Sequence, residues 1–227
     1  RLYVTYGIEA EADYRAGNIG YEEGKLVFDV FYHEQFLGSL ALNVPGNHNI
    51  LNALATVAAA RSCGIGFDEI AGALSHFHGA KRRFQTKGHV RDIWVVDDYA
   101  HHPTEIKATL SAAHNIPHKR LWILFQPHTY TRTLALFHQF ADAFVQADIL
   151  ILADIYAARE KDIYNVSSKK LAEEIRYGHR NKDVYYMDSF EKIRDFVISN
   201  AEKGDLVITM GAGDIYKVGT MIMEEEA

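Results

Sequence analysis

The sequence predicts an α/β protein in which the larger, C-terminal part forms a mostly parallel sheet. From about residue 80 onward, five short apolar runs alternate with segments of helical periodicity. Strands joined by helices are parallel and covered on both faces, which explains why these runs are apolar throughout. In the first 80 residues, by contrast, strand-like runs come first and helical ones follow. We therefore predict two domains, 1–80 and 81–227.

The N-terminal part is predicted to hold strands up to about residue 45 and helices beyond it. Runs rich in β-branched and aromatic residues at 25–32 and 36–44 are separated by polar turns. Segment 49–62 is rich in Ala and Leu and is stopped by Gly64, and a second helix is predicted at 68–76.

The C-terminal part is predicted to alternate between strand and helix. The predicted strands are 93–96, 121–125, 149–153, 184–187 and 206–209, and the predicted helices are 103–114, 132–146, 168–177, 189–200 and 213–222. Helix 103–114 starts with Pro103, whose fixed backbone angle suits the first helical position.

Composition bounds the class of protein. Of the 227 residues, 48% are hydrophobic and 24% are charged, as in an ordinary globular protein. The longest apolar runs are far too short to cross a membrane, and the net charge of −6 argues against a general nucleic-acid surface. The single cysteine, Cys63, suits a reducing compartment. Because the first residue is Arg1 rather than Met, we expect the chain to begin inside a larger protein.

Polar residues are densest where the predicted strands of the C-terminal part end. These segments are 97–105, 126–132, 154–160 and 211–214. In open α/β sheets, ligands bind beyond the carboxyl ends of the strands. Turn and capping residues could explain any one of the segments, but they explain all four together less well. We therefore predict one reaction site at this edge of the sheet.

His101 and Arg132 are the leading candidates at this edge. His101 lies within its loop, whereas His102 is better explained as the residue ahead of a helix that starts with Pro103. Arg132 falls at the start of a predicted helix, where the helix dipole disfavours a cation, so a bound anion would explain it. Asp98 is either a ligand-binding residue or an acceptor of backbone N–H groups in the turn.

The first turn of the predicted helix 49–62 offers a second candidate group. His48 and Asn52 are four residues apart and share a face, with Asn49 between them. Their imidazole and amide groups could bind a planar heterocycle, and helix capping by Asn47 or Asn49 is the alternative. Arg83 could bind a phosphate or pair with a carboxylate.

A metal site is not predicted on this chain. His101 and His102 could suggest a metal hydrolase, but adjacent side chains cannot readily share one ion, and no further His or Cys falls at zinc-like spacing. The segment Gly-Ala-Gly-Asp at 211–214 lacks the third glycine of a dinucleotide fingerprint, and a tight strand-to-helix turn explains it equally well.

Six segments together resemble the Mur ligase family of peptidoglycan synthesis. They are GNHNILNA at 46–53, GAKRRF at 79–84, DDYAHHPTE at 97–105, FQPHTYTRT at 125–133, DIYAARE at 154–160 and MGAGD at 210–214. They span nearly the whole chain in the family's order, and the segments at 97–105 and 125–133 are the most specific. Within the family, they are most similar to the ligase that joins L-alanine to UDP-N-acetylmuramate.

The resemblance implies a three-domain enzyme with a UDP-binding domain, a central ATPase domain and a Rossmann-like C-terminal domain. Residues 1–80 would be a truncated α/β piece of the central domain, whose strands have lost sheet partners and would pair with another copy or be poorly ordered. The chain has no Gly-x-x-Gly-Lys-Thr phosphate loop. The resemblance therefore implies a parent that uses ATP and Mg²⁺, with the magnesium ligands on the missing part, and a fragment that is inactive alone.

The resemblance also implies roles for single residues. In the family, ATP phosphorylates the lactoyl carboxylate, and the amine of L-alanine attacks the acyl phosphate. His101 and Arg132 would be catalytic. The nucleotide would be bound by His48, Asn49, Asn52, Arg83 and Asp98. The substrates would be bound by His101, His128, Arg132, Tyr156, Arg159 and Asp214. Thr129 stands where many relatives carry an arginine.

Two further interpretations stay open. A recycling ligase of the same family joins a muropeptide, rather than alanine, to the same UDP-sugar, and loop 156–160 is expected to discriminate between the two. A nucleotide- or substrate-binding module without catalysis is the other. For the ligase, the resemblance implies the bacterial cytoplasm and, as partners, the remaining N-terminal and central domains of the parent.

Overall fold

A computed structural model describes residues 3–178 and 183–226, apart from the side chain of Glu226. These residues form two compact units, which divide between Gly79 and Ala80. Each unit has its own hydrophobic core.

The first unit is a four-stranded sheet followed by two helices. Its elements are β1 (Tyr6–Gly7), β2 (Tyr14–Glu22), β3 (Lys25–Tyr32), β4 (Gln35–Leu42), α1 (Asn47–Ser62) and α2 (Phe67–Ser75). The strands lie in sequence order, with β1 parallel to β2 and the other pairs antiparallel. The prediction that these strands lack partners or order is wrong, because β2 to β4 form a meander that pairs within the unit.

Strand β3 explains how this small unit is stable. Its side chains alternate, and Leu26, Phe28 and Val30 are at most 1% exposed within a core that also contains Leu54 of α1 and Ile70 of α2. Fully burying each such side chain contributes roughly 1.5–3 kcal/mol. One covered face is enough for an antiparallel sheet, since the other can face water.

The second unit is a six-stranded sheet with helices on both faces. Its strands are β5 (Gln85–Val90), β6 (Ile93–Asp98), β7 (Leu121–Phe125), β8 (Ile149–Leu152), β9 (Asp183–Tyr186) and β10 (Leu206–Met210). Their order is β5-β6-β10-β7-β8-β9, and every pair is parallel except β5–β6. The mostly parallel sheet and all five predicted strands are confirmed. Strand β5 was not predicted, because its sequence Gln-Thr-Lys-Gly-His-Val is mostly polar.

The helices of this unit are α3 (Pro103–His114), α4 (Tyr130–Ala135), α5 (Phe137–Ala141), α6 (Ser168–Gly178), α7 (Phe190–Asn200) and α8 (Tyr216–Met223). Helices α3, α5 and α6 contribute to one core, and α7 and α8 contribute to the core on the opposite face. The prediction of one helix over 132–146 is wrong: α4 and α5 are separated at Leu136, whose φ of −112° is not helical. Helix α8 begins at Tyr216 rather than 213, because 211–215 form the turn that leads into it.

Candidate functional site

The four polar segments predicted at strand ends do lie on one edge of the sheet. Strand β10 pairs with both β6 and β7, so Met210 lies between Asp98 and Phe125 in register. Strand β8 pairs with β7 on the far side. Because β10 lies between β6 and β7, the loops that follow β6, β10, β7 and β8 are next to one another.

Gln126, immediately after β7, joins three of these strand ends. Its side-chain oxygen accepts hydrogen bonds from the backbone N–H of Asp214 at 2.8 Å and of Ile215 at 3.1 Å, and its amide nitrogen donates to the carbonyl of Asp154 at 3.2 Å. Gly211 has a φ of +144°, and a Cβ there would lie 2.6 Å from the Gln126 carbonyl oxygen. The glycine is therefore required by this close approach, which accounts for its place in the turn without a ligand.

Arg82 fastens the segment ahead of β5 to the same edge. Its guanidinium donates to Asp97 at 2.9 Å and to the carbonyl of Gly211 at 2.6 Å, and it lies over the rings of Tyr99 and Tyr216 at 4.9 and 4.7 Å. Asp97 is 2% exposed, and a carboxylate buried this deeply requires a cationic partner. Sequence reasoning missed both Arg82 and Gln126 as organising residues, although the run of cations at 81–83 was a signal for the first.

Asp98 orders the turn that follows β6. Its two carboxylate oxygens accept hydrogen bonds from the N–H groups of Phe84 at 2.7 Å and Ala100 at 2.8 Å, and from the hydroxyl of Thr109 at 3.2 Å. Burial raises the pKa of this carboxyl above its ordinary value, although these hydrogen bonds and the charge of Arg83 oppose the shift. The alternative of a turn-ordering group is confirmed, and nucleotide binding by Asp98 stays a prediction.

His101 is held by its own loop. Its Nδ1 lies 3.0 Å from the carbonyl oxygen of Tyr99 and 3.3 Å from the carboxylate of Glu105. Both oxygens accept, so in the neutral imidazole the proton is on Nδ1 and Nε2 is an acceptor. The side chain of His102 accepts from the N–H of Thr104 and forms a capping box with Glu105, which confirms that His102 opens α3.

His128 and Tyr156 face each other across neighbouring strand ends. Their rings stack with centroids 5.4 Å apart, and the His101 ring meets His128 edge-on at 6.0 Å. Burial, then the nearby charges of Arg132 and His101, lower the pKa of His128 below its ordinary value, while Glu160 opposes the shift. His128 is therefore neutral at physiological pH and can serve as a hydrogen-bond donor or acceptor.

Two buried polar atoms at this edge have no protein partner. In the residues that the structure describes, His128 Nδ1 and Arg132 Nη1 are buried side-chain atoms without a hydrogen bond. A buried guanidinium N–H without an acceptor costs free energy. The unpartnered Nη1 of Arg132 therefore points to a bound anion as its acceptor. Arg132 lies in α4 as the third residue of the helix, next to Thr131, which donates to Glu160.

The remaining predicted residues of this unit lie at the rim. Asp214 is paired with Lys217 at 3.1 Å, and its N–H is bound by Gln126. Arg83 is exposed, with its guanidinium 5.7 Å from the Tyr99 ring, and Arg159 is exposed in the turn after Tyr156. The structure thus brings His101, His128, Arg132 and Tyr156 together and leaves Arg83 and Arg159 accessible.

A cavity of about 250 Å³ opens beyond the ends of β7 and β8. It is lined by Gln126, Ala153, Asp154, Asp188, Ser189, Phe190 and Glu191. None of the predicted site residues lines it. The hydroxyl of Tyr186 donates to Asp154 at 2.7 Å, and this bond raises the pKa of Tyr186 to about 12.

The second candidate group lies in the first unit, at the start of α1. Asn49 donates to the carbonyl of Pro45 at 2.7 Å, and Asn52 donates to the Asn49 side chain at 3.3 Å. His48 and Asn52 are exposed. The N-cap is Gly46 and no side chain caps the helix, so capping by Asn47 or Asn49 is not the reason for these residues.

Within residues 3–178 and 183–226, no group of three His, Cys, Asp or Glu side chains could hold a metal ion. In the same described part, no helix combines the length and apolar character that crossing a membrane needs.

The sequence matches known proteins over both units. Residues 1–60 match the Mur ligase middle domain, and residues 82–213 match the Mur ligase, glutamate ligase domain. Among curated relatives, a UDP-N-acetylmuramate--L-alanine ligase from Clostridium novyi is 54% identical over 97% of this chain and 48% of its own length. One of the same name from Caldanaerobacter subterraneus is 50% identical over 98% of this chain. The chain spans about half the length of these relatives.

Solved structures agree with these matches. A UDP-N-acetylmuramate-alanine ligase from Thermotoga maritima is 26% identical with a TM-score of 0.83, covering 98% of this chain and 47% of that one. A murein peptide ligase from Psychrobacter arcticus is also 26% identical, with a TM-score of 0.63 over 97% of this chain and 45% of that one. Because the glutamate ligase domain alone matches more than half of its residues, the chain belongs to the Mur ligase family.

Proposed function

We propose that this chain is the C-terminal part of an ATP-dependent ligase that joins L-alanine to the lactoyl carboxylate of UDP-N-acetylmuramate in peptidoglycan synthesis. The observation that carries the proposal is the pair of buried, unpartnered atoms, His128 Nδ1 and Arg132 Nη1, beside His101. A carboxylate accepts from the Arg132 guanidinium, and from His128 Nδ1 in the tautomer that has its proton there; an amino acid supplies such a carboxylate next to the amine that must react.

The incoming amino acid would be held by its carboxylate on Arg132 and His128. Its amine would then lie against His101, whose Nε2 is an acceptor in the neutral imidazole because Nδ1 is turned to Tyr99 and Glu105. As the amine nitrogen bonds to the carbonyl carbon of the acyl phosphate, the carbon–oxygen bond to phosphate breaks and the amine loses a proton. An acceptor at Nε2 would orient the amine lone pair and take up this proton.

Roles in nucleotide binding are proposed for five residues. His48, Asn49 and Asn52 would border the base, Arg83 would approach the phosphates, and Asp98 would order the adjoining loop or hold the ribose. The exposed positions of His48, Asn52 and Arg83 support this, since they leave polar groups accessible to a ligand.

Formation of the acyl phosphate needs groups that the described residues do not provide. These residues supply no metal-binding cluster, and the sequence has no phosphate loop. We propose that the Mg²⁺ ligands and the phosphate loop belong to the rest of the parent. The 227-residue chain alone is expected to form no amide. A UDP-sugar substrate and ATP also favour the bacterial cytoplasm.

A murein peptide ligase is the second candidate. The alanine ligase and the murein peptide ligase structures share the same sequence identity with this chain, 26%. The alanine ligase superimposes with the higher TM-score, 0.83 against 0.63. Curated relatives that are 46–54% identical also carry the alanine ligase name. Alanine is therefore the favoured acceptor.

Turnover by the complete parent tests this proposal. With ATP, Mg²⁺ and UDP-N-acetylmuramate, we expect amide formation and ADP release with L-alanine and none with a muropeptide. The 227-residue chain serves as the negative control. Turnover only with muropeptide would move the assignment to the recycling activity, and no turnover with either by a folded parent would leave a binding module.

A further inference from the structure

The loop after β8 is held to the segment after β7 at two separate places. At the first, Thr129 N donates to the carbonyl of Tyr156 at 2.8 Å, and Tyr156 N donates to that of Pro127 at 2.9 Å. At the second, the Glu160 carboxylate accepts from Thr131 N at 2.9 Å and, with its other oxygen, from the Thr131 hydroxyl. The hydrogen bonds at the first place join main-chain atoms alone, whereas those at the second depend on the side chain of Glu160.

The backbone between these two places turns sharply. Ala158 has a φ of 54°, Thr129 has a φ of 66°, and Glu160 N donates to the carbonyl of Ala157 at 3.0 Å. Left-handed conformations of non-glycine residues cost free energy and persist where surrounding contacts hold them. The Glu160–Thr131 contact is the one that returns the loop to α4 after the turn.

The residues with unpartnered atoms belong to the segment that these contacts hold. His128 stacks on Tyr156 at the first place, and Arg132 directly follows Thr131 at the second. The separation and orientation of His128 and Arg132 therefore depend on both contacts. Glu160 and Thr131 belong to two of the six segments, but the resemblance implies no role for either residue.

We propose that Glu160 is a positioning residue: by binding Thr131 it holds His128 and Arg132 in the arrangement that receives one carboxylate. This rests on the proposed function and deepens it, because it names what sets the amino-acid subsite. Glu160 acts through Thr131, and Arg132 and His128 make the contact with the substrate.

The charges around His128 give the proposal a readout that does not require catalysis. Arg132 and His101 face it as groups that lower its pKa, and Glu160 faces it as the group that raises it. The hydrogen bonds from Thr131 lower the pKa of Glu160 itself, so Glu160 is ionised at neutral pH. Removing this negative charge is expected to lower the pKa of His128 further.

An NMR titration of the His128 ring in the 227-residue chain tests the arrangement directly. We expect Glu160→Gln to lower the pKa of His128, and the matched control Glu173→Gln, an exposed residue of α6, to leave it unchanged. Glu160→Asp keeps the negative charge, but its side chain is too short to reach Thr131. This variant therefore separates the effect of the charge from the effect of the contact. An unchanged pKa in Glu160→Gln would overturn the proposal, whether or not the parent proves to be a ligase.

Kinetics of the complete parent supply the second test. Because a charge-assisted hydrogen bond is lost, we expect Glu160→Gln, Glu160→Asp and Thr131→Val to raise the KM for the amino acid about tenfold. The KM for ATP should stay within about twofold of the wild-type value. Thr131→Ser, which keeps the hydroxyl, should leave the KM for the amino acid at its wild-type value. Equal changes in both KM values would indicate general destabilisation and contradict a positioning role. Failure of the ligase proposal would appear differently, as a parent without turnover in the wild type.

Discussion

The two candidate groups of this protein are built in opposite ways. At the strand ends of the second unit, the carboxylates of Asp97 and Asp98 are at most 5% exposed and each is bound by several donors. At the start of α1 in the first unit, His48 and Asn52 are exposed on one helical turn. The strand-end group is fixed before any ligand arrives, whereas the helix group depends on the helix alone for its geometry. Substitutions of these buried carboxylates should therefore affect folding, whereas substitutions of the exposed residues of α1 should affect mainly binding.

The largest expected effect is on the turn between β10 and α8. Gly211→Ala places a Cβ 2.6 Å from the Gln126 carbonyl at a φ of +144°, and we expect a loss of about 3 kcal/mol in the free energy of unfolding. The matched change in the first unit is Gly72→Ala in α2, where nothing lies within 4 Å of the new Cβ, and it should stabilise by about 0.5–1 kcal/mol. Urea unfolding of the two variants measures both values. Equal effects would contradict the difference between the units.

Arg132→Ala should abolish the anion-binding group without unfolding the second unit. Removing a preorganised donor from a reacting centre typically costs about 100-fold or more in rate. We therefore expect kcat/KM of the parent for the amino acid to fall about 100-fold, while the urea midpoint changes little. The control is Arg176→Ala, which removes an exposed arginine of α6. A rate within threefold of wild type would remove Arg132 from the site.

Asp98→Asn tests the turn after β6. An amide cannot accept all of the three hydrogen bonds that the carboxylate accepts, so we expect a loss of about 2 kcal/mol at pH 7. Because burial raises the pKa of Asp98, the group favours the folded state most below its unfolded value of 3.8, and this contribution is lost as the pH rises through the folded pKa. The variant should lack this part of the pH dependence of stability, measured by urea unfolding between pH 3 and pH 7. An identical pH profile in both proteins would show that Asp98 does not titrate in this range.

Asn52→Ala is expected to have the smallest effect on folding. The residue is exposed, and its side chain donates a 3.3 Å hydrogen bond to Asn49, so the free energy of unfolding should change by less than about 0.5 kcal/mol. If Asn52 binds the base, the KM of the parent for ATP should rise about fivefold, as expected for one lost hydrogen bond. An unchanged KM for ATP would leave α1 without a role in the nucleotide site.

Local signals predicted most elements and the edge of the sheet where the polar segments lie together. The five parallel strands are mostly apolar, and α3 begins at Pro103 as predicted because proline and a capping box both act within one turn. The edge of the sheet that carries the site follows from the same pattern, since parallel strands end together. His101 stood out because it lies within its loop, and Arg132 stood out because a cation at a helix start is unusual.

Non-local contacts explain what the sequence did not reveal. Gln126 and Arg82 bind partners that are 88 and 129 residues away in the chain, and no local pattern reports such pairs. Strand β5 is held by its pairing with β6 despite its polar sequence, which tertiary context decides rather than propensity. The break between α4 and α5 lies at Leu136. Leucine is a good helix former, so no local signal predicts the break there.

The position of β10 has a consequence for how the second unit is made. This strand comes last in the sequence of strands but lies between β6 and β7, which have no other link to each other in the sheet. While a ribosome is still adding residues before 206, the half-sheets on either side have unpaired inner edges, and Thr209 and Gly211 are not yet there to bind Asp97 and Arg82. Long-range closure of this kind folds slowly. Synthesis of β10 therefore sets the moment at which this edge of the sheet becomes continuous.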